Sequence, residues 1–260
     1  MSDAADVKNV LVTGSAGRIG QAVVLELLRR GHLVRGYDRQ LSPNLENAFV
    51  ADLCDTDTLV EAMDGVEALV HLAAVPDDVD DVVGELFPPN ITGLYHVLET
   101  ARKANVKRLV LASSGQVNWF RKQTGPWPID EHTPVSPRSW YAATKMFLES
   151  IGYSYSATHG MSVIVGRLGW CPRDEGQVNE ISAEEHFQDV YFSPADAGRF
   201  FACAVEAPDD ISHATLFPTS NPIHTMRYDL APAKELIGYE PQEQWPEGTE
   251  IVMGRRWQAT

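Results

Sequence analysis

Tyr141 and Lys145 are the residues of this 260-residue sequence whose spacing most directly suggests chemistry. Residues four apart share one face of a helix, so the phenol and the ammonium are expected to point the same way. A free tyrosine has a pKa of roughly 10, and a nearby positive charge lowers that pKa by favouring the phenolate. We therefore expect the pair to act as a general base, although a Tyr-x-x-x-Lys pattern alone is common and usually structural.

Ser113 and Ser114 follow the apolar segment Val110-Leu111-Ala112, which predicts a buried strand. A serine hydroxyl at a strand end can donate a hydrogen bond to a substrate oxygen while Tyr141 removes its proton. The alternative is a strand-terminating turn without a chemical role. The hypothesis is a proton-transfer set of Ser114, Tyr141 and Lys145.

A glycine-rich segment from Gly14 to Gly20 lies between an apolar strand and an amphipathic helix. Glycine permits the tight turn and the close approach of a pyrophosphate, which the free N–H groups of the helix then face. Asp38 follows roughly 20 residues later, where a carboxylate accepts from ribose hydroxyls and repels a 2′-phosphate. Arg39 either pairs with a 2′-phosphate or is a solvated side chain near the adenine. On balance the segment predicts a dinucleotide site that prefers NAD.

Alternating strand and helix patterns predict the scaffold that positions these residues. The predicted strands are 9–13, 33–37, 49–51, 68–72, 108–112, 162–167 and one near 214–217; the predicted helices are 19–30, 55–63, 92–105, 139–158, 195–206 and 230–237. The alternation implies an α/β fold, a Rossmann-type doubly wound parallel sheet. We expect residues 1–168 to form the dinucleotide-binding domain with the Ser/Tyr/Lys set. Residues 169–260 would add a small C-terminal substrate-binding portion and complete the fold.

Two segments break the alternation, and both follow strands, where open α/β sheets bind ligands. Residues 116–137 contain four prolines and are expected to form a loop. Residues 170–192 are polar and acidic, and are expected to form a second loop or a short helical excursion.

Composition narrows the class of partner. A net charge of −15 argues against nucleic acid, because such a surface repels phosphate backbones. The cysteines are odd in number and far apart, which indicates neither disulfides nor a zinc cluster, and no apolar run reaches membrane-spanning length. The histidines lack metal-ligand spacing, so no metal is expected. These features favour a cytoplasmic protein without a membrane contact.

In their order along the chain these motifs resemble the extended short-chain dehydrogenase/reductase superfamily, in its NAD-dependent epimerase/dehydratase group. The matching segments are Thr13-Gly14-x-x-Gly17-x-x-Gly20, Asp38, Asp52-Leu53, Leu72-Ala73-Ala74, Asn90, Ser113-Ser114, Tyr141-x-x-x-Lys145 and Leu236 to Pro241. The resemblance implies NAD as cofactor, Ser114 rather than Ser113 as the catalytic serine, and a homodimer formed through the two long helices.

The cofactor contacts expected from the motifs and the resemblance together are Gly14, Ala16, Gly17, Arg18, Ile19, Asp38, Arg39, Asp52, Leu53, Leu72, Ala73, Ala74, Asn90, Ser113, Tyr141 and Lys145. Asp52 could equally be a simple helix cap. His71, at the end of the fourth strand, is expected to be a core histidine rather than a catalyst.

Within the superfamily the compact length resembles uronate dehydrogenases and related aldose dehydrogenases, which oxidise the anomeric carbon of a free sugar acid with NAD. Little chain follows Arg167 to build a cap for a nucleotide, so a small sugar or sugar acid is the expected substrate. Two departures stand out: Gly115-Gln116 replaces an Asn-His pair, and no arginine falls at the ungapped position near Asn179.

The expected substrate contacts are Pro76, Ser114, Gly115, Gln116, Trp170 and Arg173. Arg121 and Lys122 could also supply positive charge, and Trp119 could stack on a sugar ring, although each is as readily a surface or packing residue. Two alternatives stay open: a nucleotide-sugar epimerase or dehydratase that retains its NAD, and a non-catalytic NAD-binding sensor.

Overall fold

One parallel sheet organises the computed structural model, which describes residues 7–43 and 45–248. Its strands are β1 (Asn9–Thr13), β2 (Leu33–Asp38), β3 (Ala48–Val50), β4 (Ala68–His71), β5 (Arg108–Ser114), β6 (Ser162–Leu168) and β7 (His213–Leu216). Their order is β3-β2-β1-β4-β5-β6-β7. The predicted Rossmann-type sheet is therefore confirmed, and its order reverses between β1 and β4, the point at which such sheets bind ligands.

Helices cover both faces of this sheet. They are α1 (Arg18–Arg29), α2 (Thr56–Met63), α3 (Leu94–Lys103), α4 (Trp119–Thr124), α5 (Trp140–His159), α6 (Glu175–Ala183), α7 (Glu185–Gln188), α8 (Pro194–Glu206) and α9 (Ala231–Ile237). Side-chain caps fix several starts: Asp55 accepts from the Thr58 amide at α2, and Ser139 accepts from the Ala142 amide at α5.

Two apolar layers hold the helices to the sheet. On one face, α1 and α8 bury residues such as Leu27 and Phe200 against β1, β4 and β5. On the other face, α2, α3 and α5 bury residues such as Leu59, Val97 and Leu148. Each such side chain contributes about 1.5–3 kcal/mol when fully buried, so the sheet and its two helix layers form one core-supported platform.

Three segments differ from the sequence-based expectation. The predicted helix 92–105 is continuous with π-helical turns at Val82–Leu86 and Pro88–Gly93, and its regular part is α3. The expected loop 116–137 begins with a 3-10 turn, Gly115–Asn118, and the helix α4, which Gly125 ends with a positive φ of 70°. Of the two readings for 170–192, the helical one holds, as α6 and α7.

The C-terminal part contributes to both the sheet and its ligand edge. Strand β7 pairs with β6, and α8 packs against α1, so residues after 168 complete the platform. The same part supplies the loop between β6 and α8. A division of the chain near residue 168 remains a prediction.

Cys54, Cys171 and Cys203 are free thiols, as expected from their spacing. Within the described ranges, no helix combines the length and the apolarity needed to cross a membrane.

Candidate active site

Ser114, Tyr141 and Lys145 meet at the carboxyl edge of the sheet. Ser114 is the last residue of β5, and its side chain lies near enough to Tyr141 to act against the rise in the pKa of that phenol. The Lys145 ammonium lies 5.7 Å from the centroid of the Tyr141 ring and donates to the carbonyl of Ala112 at 2.8 Å. The helix register therefore brings the phenol and the ammonium to one end of β5, as the four-residue spacing predicts.

Burial dominates the proton affinities of this set. We expected Lys145 to lower the pKa of Tyr141, but burial raises the pKa of Tyr141 to about 12, against opposing effects of the Ser114 hydrogen bond and the charge of Arg173. Burial also lowers the pKa of Lys145 to about 8, with the charge of Glu149 opposing it. The expected lowering is wrong for this arrangement because the phenol loses more hydration than the neighbouring charges return.

A buried ion pair lies directly behind the set and was missed by the sequence analysis. Glu149 accepts from both Nε and Nη2 of Arg167, at 2.9 and 2.7 Å, and also accepts from Ser113 Oγ at 2.5 Å. Arg167 Nη1 donates to Asn118 at 3.1 Å. Ser113 therefore turns its hydroxyl away from the edge where Ser114 acts. Glu149 stands four residues after Lys145, and that repeat of the helix period is the signal that could have found it.

The glycine-rich turn is held tightly against the sheet. Gly14 has a φ of +75°, and a Cβ there would lie 2.7 Å from the Ala73 amide nitrogen. A Cβ on Gly20 would lie 2.0 Å from the Gly14 carbonyl oxygen. Gly17, by contrast, is exposed, and a Cβ on it would meet only that carbonyl oxygen within 4 Å. The turn therefore leaves a shallow open cradle at the start of α1, as a bound phosphate requires.

Arg18 supplies an unbalanced charge at this cradle. All three of its guanidinium nitrogens are buried and have no hydrogen-bond partner in the structure. A buried, unpaired guanidinium is costly unless an anion compensates it. The cradle and this orphaned cation together fit the pyrophosphate of a dinucleotide, so the residues present are suited to NAD.

Asp38 lies at the end of β2, beside the glycine turn. Its carboxylate accepts from the Ala16 amide at 3.1 Å and the Gln40 amide at 3.0 Å, which fixes it at the edge of the cradle. Arg39 follows it and is exposed. Asp52 accepts from the Cys54 amide, so it forms a local turn, while Leu53 is buried against Gly93. Ile19 packs against the core from the first turn of α1.

The end of β4 lies between the glycine turn after β1 and the end of β5, where Ser114 lies. Leu72 donates its amide to the Thr13 carbonyl, and the next residues, Ala73 and Ala74, are small and partly buried. His71 is buried, is bonded to Thr13 Oγ1 at 2.8 Å and has its pKa lowered to about 3 by burial, which suits a neutral core histidine.

Asn90 links the loop after β4 to α5, the helix that carries Tyr141 and Lys145. Its amide donates to the Val75 carbonyl and to Thr144 Oγ1, both at 3.1 Å, and its oxygen accepts from the Val75 amide at 2.8 Å. Both side-chain donors of Asn90 are therefore used inside the protein. Its contact with a cofactor stays a prediction, whereas its tie between the β4 loop and α5 is direct.

Arg173 is the predicted substrate residue that the fold brings near Tyr141. It reaches from the loop after β6 to the loop after β4, where it donates to the Pro76 carbonyl at 2.9 Å and pairs with Asp77 at 2.6 Å. The charge of Arg173 lowers the pKa of Tyr141, while Asp77 and Asp78 raise it. The guanidinium is thus near the chemistry but already neutralised.

The remaining predicted substrate residues line the β5 and β6 loops. The backbone N–H of Gln116 donates to Ser114 Oγ at 3.2 Å, which orients the serine. Trp170 packs edge-on against Phe187 at 4.8 Å. Gly115 is required by Tyr228, whose hydroxyl oxygen would lie 2.2 Å from a Cβ on Gly115. Tyr228 is far away in sequence, so no local pattern indicated it.

Comparison with known proteins agrees with this geometry. Residues 10–170 match the model of the NAD dependent epimerase/dehydratase family. The L-arabinose 1-dehydrogenase (NAD(P)(+)) of Haloferax volcanii is 30% identical over 251 residues, covering 90% of this chain and 96% of the relative. A uronate dehydrogenase of Pseudomonas syringae pv. tomato is 33% identical over 164 residues, covering 62% of this chain and 58% of the relative.

The fold similarity extends beyond these sequences. A solved structure described as a mutated uronate dehydrogenase superposes with a TM-score of 0.76 at 26% identity, and the match covers 92% of this chain and 83% of that one. The motifs, the sheet order and the matched residues lead to one conclusion: the chain belongs to the NAD-dependent epimerase/dehydratase family.

Proposed function

We propose that the protein is an NAD-dependent dehydrogenase that oxidises carbon 1 of a small sugar or sugar acid. The observation that carries this proposal is the meeting of Ser114, Tyr141 and Lys145 at the end of β5, where the Lys145 ammonium lies 5.7 Å from the Tyr141 ring. The relatives named as arabinose and uronate dehydrogenases support the substrate class.

The cofactor is NAD, which would be held by the glycine turn, Arg18 and Asp38. Bound NAD supplies the acceptor for the hydride that leaves the sugar carbon. Gly14 and Gly17 would allow the backbone to approach the pyrophosphate, and the buried Arg18 guanidinium would balance its charge. The Asp38 carboxylate, held by two backbone amides, would accept from the ribose hydroxyls and disfavour a 2′-phosphate.

The chain's own residues move the proton. Tyr141 accepts the proton of the sugar hydroxyl as the carbon–oxygen bond becomes double, and Ser114 orients that oxygen by hydrogen bonding. The Ala112 carbonyl fixes the Lys145 ammonium near the phenol, where its charge would offset part of the cost that burial imposes on the phenolate. Glu149 and Arg167 hold Ser113, and with it the end of β5, in place.

A substrate panel tests the proposal. The purified protein is mixed with NAD or NADP and with free aldoses, uronic acids or sugar alcohols, and NADH formation is followed by absorbance. We expect turnover with NAD and a free aldose or uronic acid, and weaker use of NADP. Cofactor binding without turnover of any sugar would contradict the proposal, as would conversion of a nucleotide sugar without net NADH.

We also propose that the protein is a cytoplasmic homodimer that pairs through α3 and α5. Tyr95 on α3 is 60% exposed and Phe147 on α5 is 42% exposed, although both helices pack on the same face of the sheet. Burying such apolar area would favour a second copy. Light scattering of the wild type should give the mass of a dimer, and a Tyr95→Glu, Phe147→Glu variant should be monomeric. A monomeric wild type would contradict the dimer.

A further inference from the structure

Lys122 is a buried cation that the proposed reaction does not use. It lies on α4, shortly after the Ser114 turn, and is only 4% exposed. Its ammonium lies 4.2 Å from the centroid of the Trp119 ring and 5.7 Å from that of Phe187. Within residues 7–43 and 45–248 it forms no ion pair with a carboxylate, so aromatic faces are its main compensation.

A second cation shares the same indole. The guanidinium carbon of Arg138 lies 4.1 Å from the centroid of the Trp119 ring. Arg227 is also nearby, but Asp189 pairs with it at 3.2 Å. Burial, Arg138 and Arg227 together lower the pKa of Lys122 to about 7. Two like charges on one ring in a chain of net charge −15 repel each other unless an anion joins them.

Arg173, which acts on Tyr141 from the loop after β6, differs from Lys122 because a carboxylate pairs with it. Arg173 is already paired with Asp77 at 2.6 Å, and both Asp77 and Asp78 act on the Tyr141 hydroxyl. An added anion beside Tyr141 would therefore meet two carboxylates and a neutralised arginine. The field favours placing a negative group of the substrate at Lys122 instead.

One short turn joins the two places along the chain. The 3-10 turn Gly115–Asn118 lies between Ser114 and Trp119, and at about 2 Å per residue its backbone rises roughly 8 Å. Phe187 lies 6.4 Å from the Trp119 ring and 4.8 Å from the Trp170 ring, which forms an aromatic wall beside this turn. The two cations occupy the Trp119 ring, so the apolar surface that a substrate could contact here belongs to Phe187 and Trp170.

We propose that Lys122, Arg138 and Trp119 form an anion subsite for the carboxylate or phosphate of a sugar whose reacting hydroxyl lies at Tyr141. The proposal rests on the proposed function, because it assigns the two ends of one substrate. It makes this protein selective for anionic sugars by means of residues outside the nucleotide motif and outside the Ser/Tyr/Lys set.

The kinetic test compares matched substrates in matched variants. D-Glucuronate, D-glucose 6-phosphate and neutral D-glucose are assayed with the wild type, Lys122→Met and Lys234→Met, the last being an exposed lysine on α9. We expect Lys122→Met to raise KM for an anionic sugar by about tenfold or more and to change kcat/KM for glucose less than about twofold. Lys234→Met should change neither. The more affected anionic sugar identifies carboxylate or phosphate as the group bound. Equal losses on charged and neutral sugars would overturn the subsite.

A binding test separates this proposal from the proposed function. Titration calorimetry with inorganic phosphate in the presence of NAD, and with D-glucuronate in the presence of NADH, which cannot accept a hydride, should show binding that Lys122→Met weakens by about tenfold. Lys122-dependent binding without turnover of any sugar would overturn the proposed function and leave the subsite standing. If Lys122→Met does not fold, Arg138→Gln serves as the second variant. Arg138 is exposed, and its replacement should weaken the same binding. Anion binding that neither variant changes would overturn the subsite.

Discussion

The nucleotide half and the substrate half of this edge are built in opposite ways. On the nucleotide side, one continuous segment from Gly14 to Gly20 supplies the cradle, and its cation, Arg18, has no hydrogen-bond partner among residues 7–43 and 45–248. On the substrate side, residues from separate loops meet, and Arg173, whose charge lowers the pKa of Tyr141, is already paired with Asp77. On the nucleotide side, the Arg18 charge would be balanced by a bound anion. On the substrate side, Asp77 already balances the charge of Arg173.

This difference assigns binding and reactivity to different groups. An unpaired buried guanidinium makes the protein less stable without ligand, so the binding of a phosphate beside it is favourable. A balanced pair beside Tyr141 leaves the affinity of the phenol for its proton to be set by burial and by Ser114. Changes on the two sides should therefore affect different measured quantities.

The largest effect is expected from Tyr141→Phe. It removes the proton acceptor but keeps the ring, so turnover should fall by about 10²–10⁴-fold while NAD binding stays near that of the wild type. Steady-state rates and NAD titration measure the two quantities. Tyr153→Phe makes the same change at an exposed position on α5 and should have no effect. Wild-type turnover by Tyr141→Phe would refute the role of Tyr141.

Glu149→Gln should cost stability as well as rate. It leaves the buried Arg167 without its carboxylate, so the free energy of unfolding should fall by about 3 kcal/mol. Denaturant unfolding measures this loss. The matched control is Glu240→Gln, whose ion pair with Lys234 is exposed and should be worth less than about 1 kcal/mol. Equal losses in both variants would argue against a positioning role for the buried pair.

Arg18→Met should separate binding from stability on the nucleotide side. The dissociation constant for NAD should rise about tenfold or more, because a charge-assisted contact with the pyrophosphate is lost. The melting temperature without NAD should stay the same or rise, because an unpaired buried cation is removed. Arg29→Met, at an exposed end of the same helix, is the control. Unchanged NAD affinity would contradict the assignment of Arg18.

The pH profile tests the reacting end without any change of sequence. Burial raises the pKa of Tyr141 to about 12 and lowers that of Lys145 to about 8, so the phenolate–ammonium pair is a minority form. Below about pH 8 the phenolate fraction rises with pH while Lys145 stays charged, so kcat/KM should rise about tenfold per pH unit. Above about pH 8 (where Lys145 loses its proton) the rise should level off. A rate independent of pH below 8 would contradict this account.

The two halves also differ in how far the sequence predicts them. The glycine turn, the position of Asp38 and the Tyr141–Lys145 spacing are local patterns, and the structure places all of them at one edge of the predicted sheet. They are readable because each depends on neighbours within a turn, a strand end or a helix period.

The parts that the sequence did not reveal depend on distant partners. The contact of Tyr228 with Gly115 and the pairing of Glu149 with Arg167 exist only after separate strands and loops assemble. The same holds for the neutralisation of Arg173 by Asp77, which a list of charged residues does not indicate. The fold, the glycine turn and the meeting of Ser114, Tyr141 and Lys145 at one edge were thus predictable, while the charge balance around them was not.

The central claim is that the Ser114, Tyr141 and Lys145 edge directs a hydride from a sugar carbon to NAD. The most direct test uses an aldose or uronic acid deuterated at carbon 1, with mass spectrometry of the cofactor after reaction. The account predicts that the deuterium appears in the NADH and that the initial rate falls where hydride transfer limits it. NADH without deuterium, or recovery of all the deuterium in the sugar, would contradict the account.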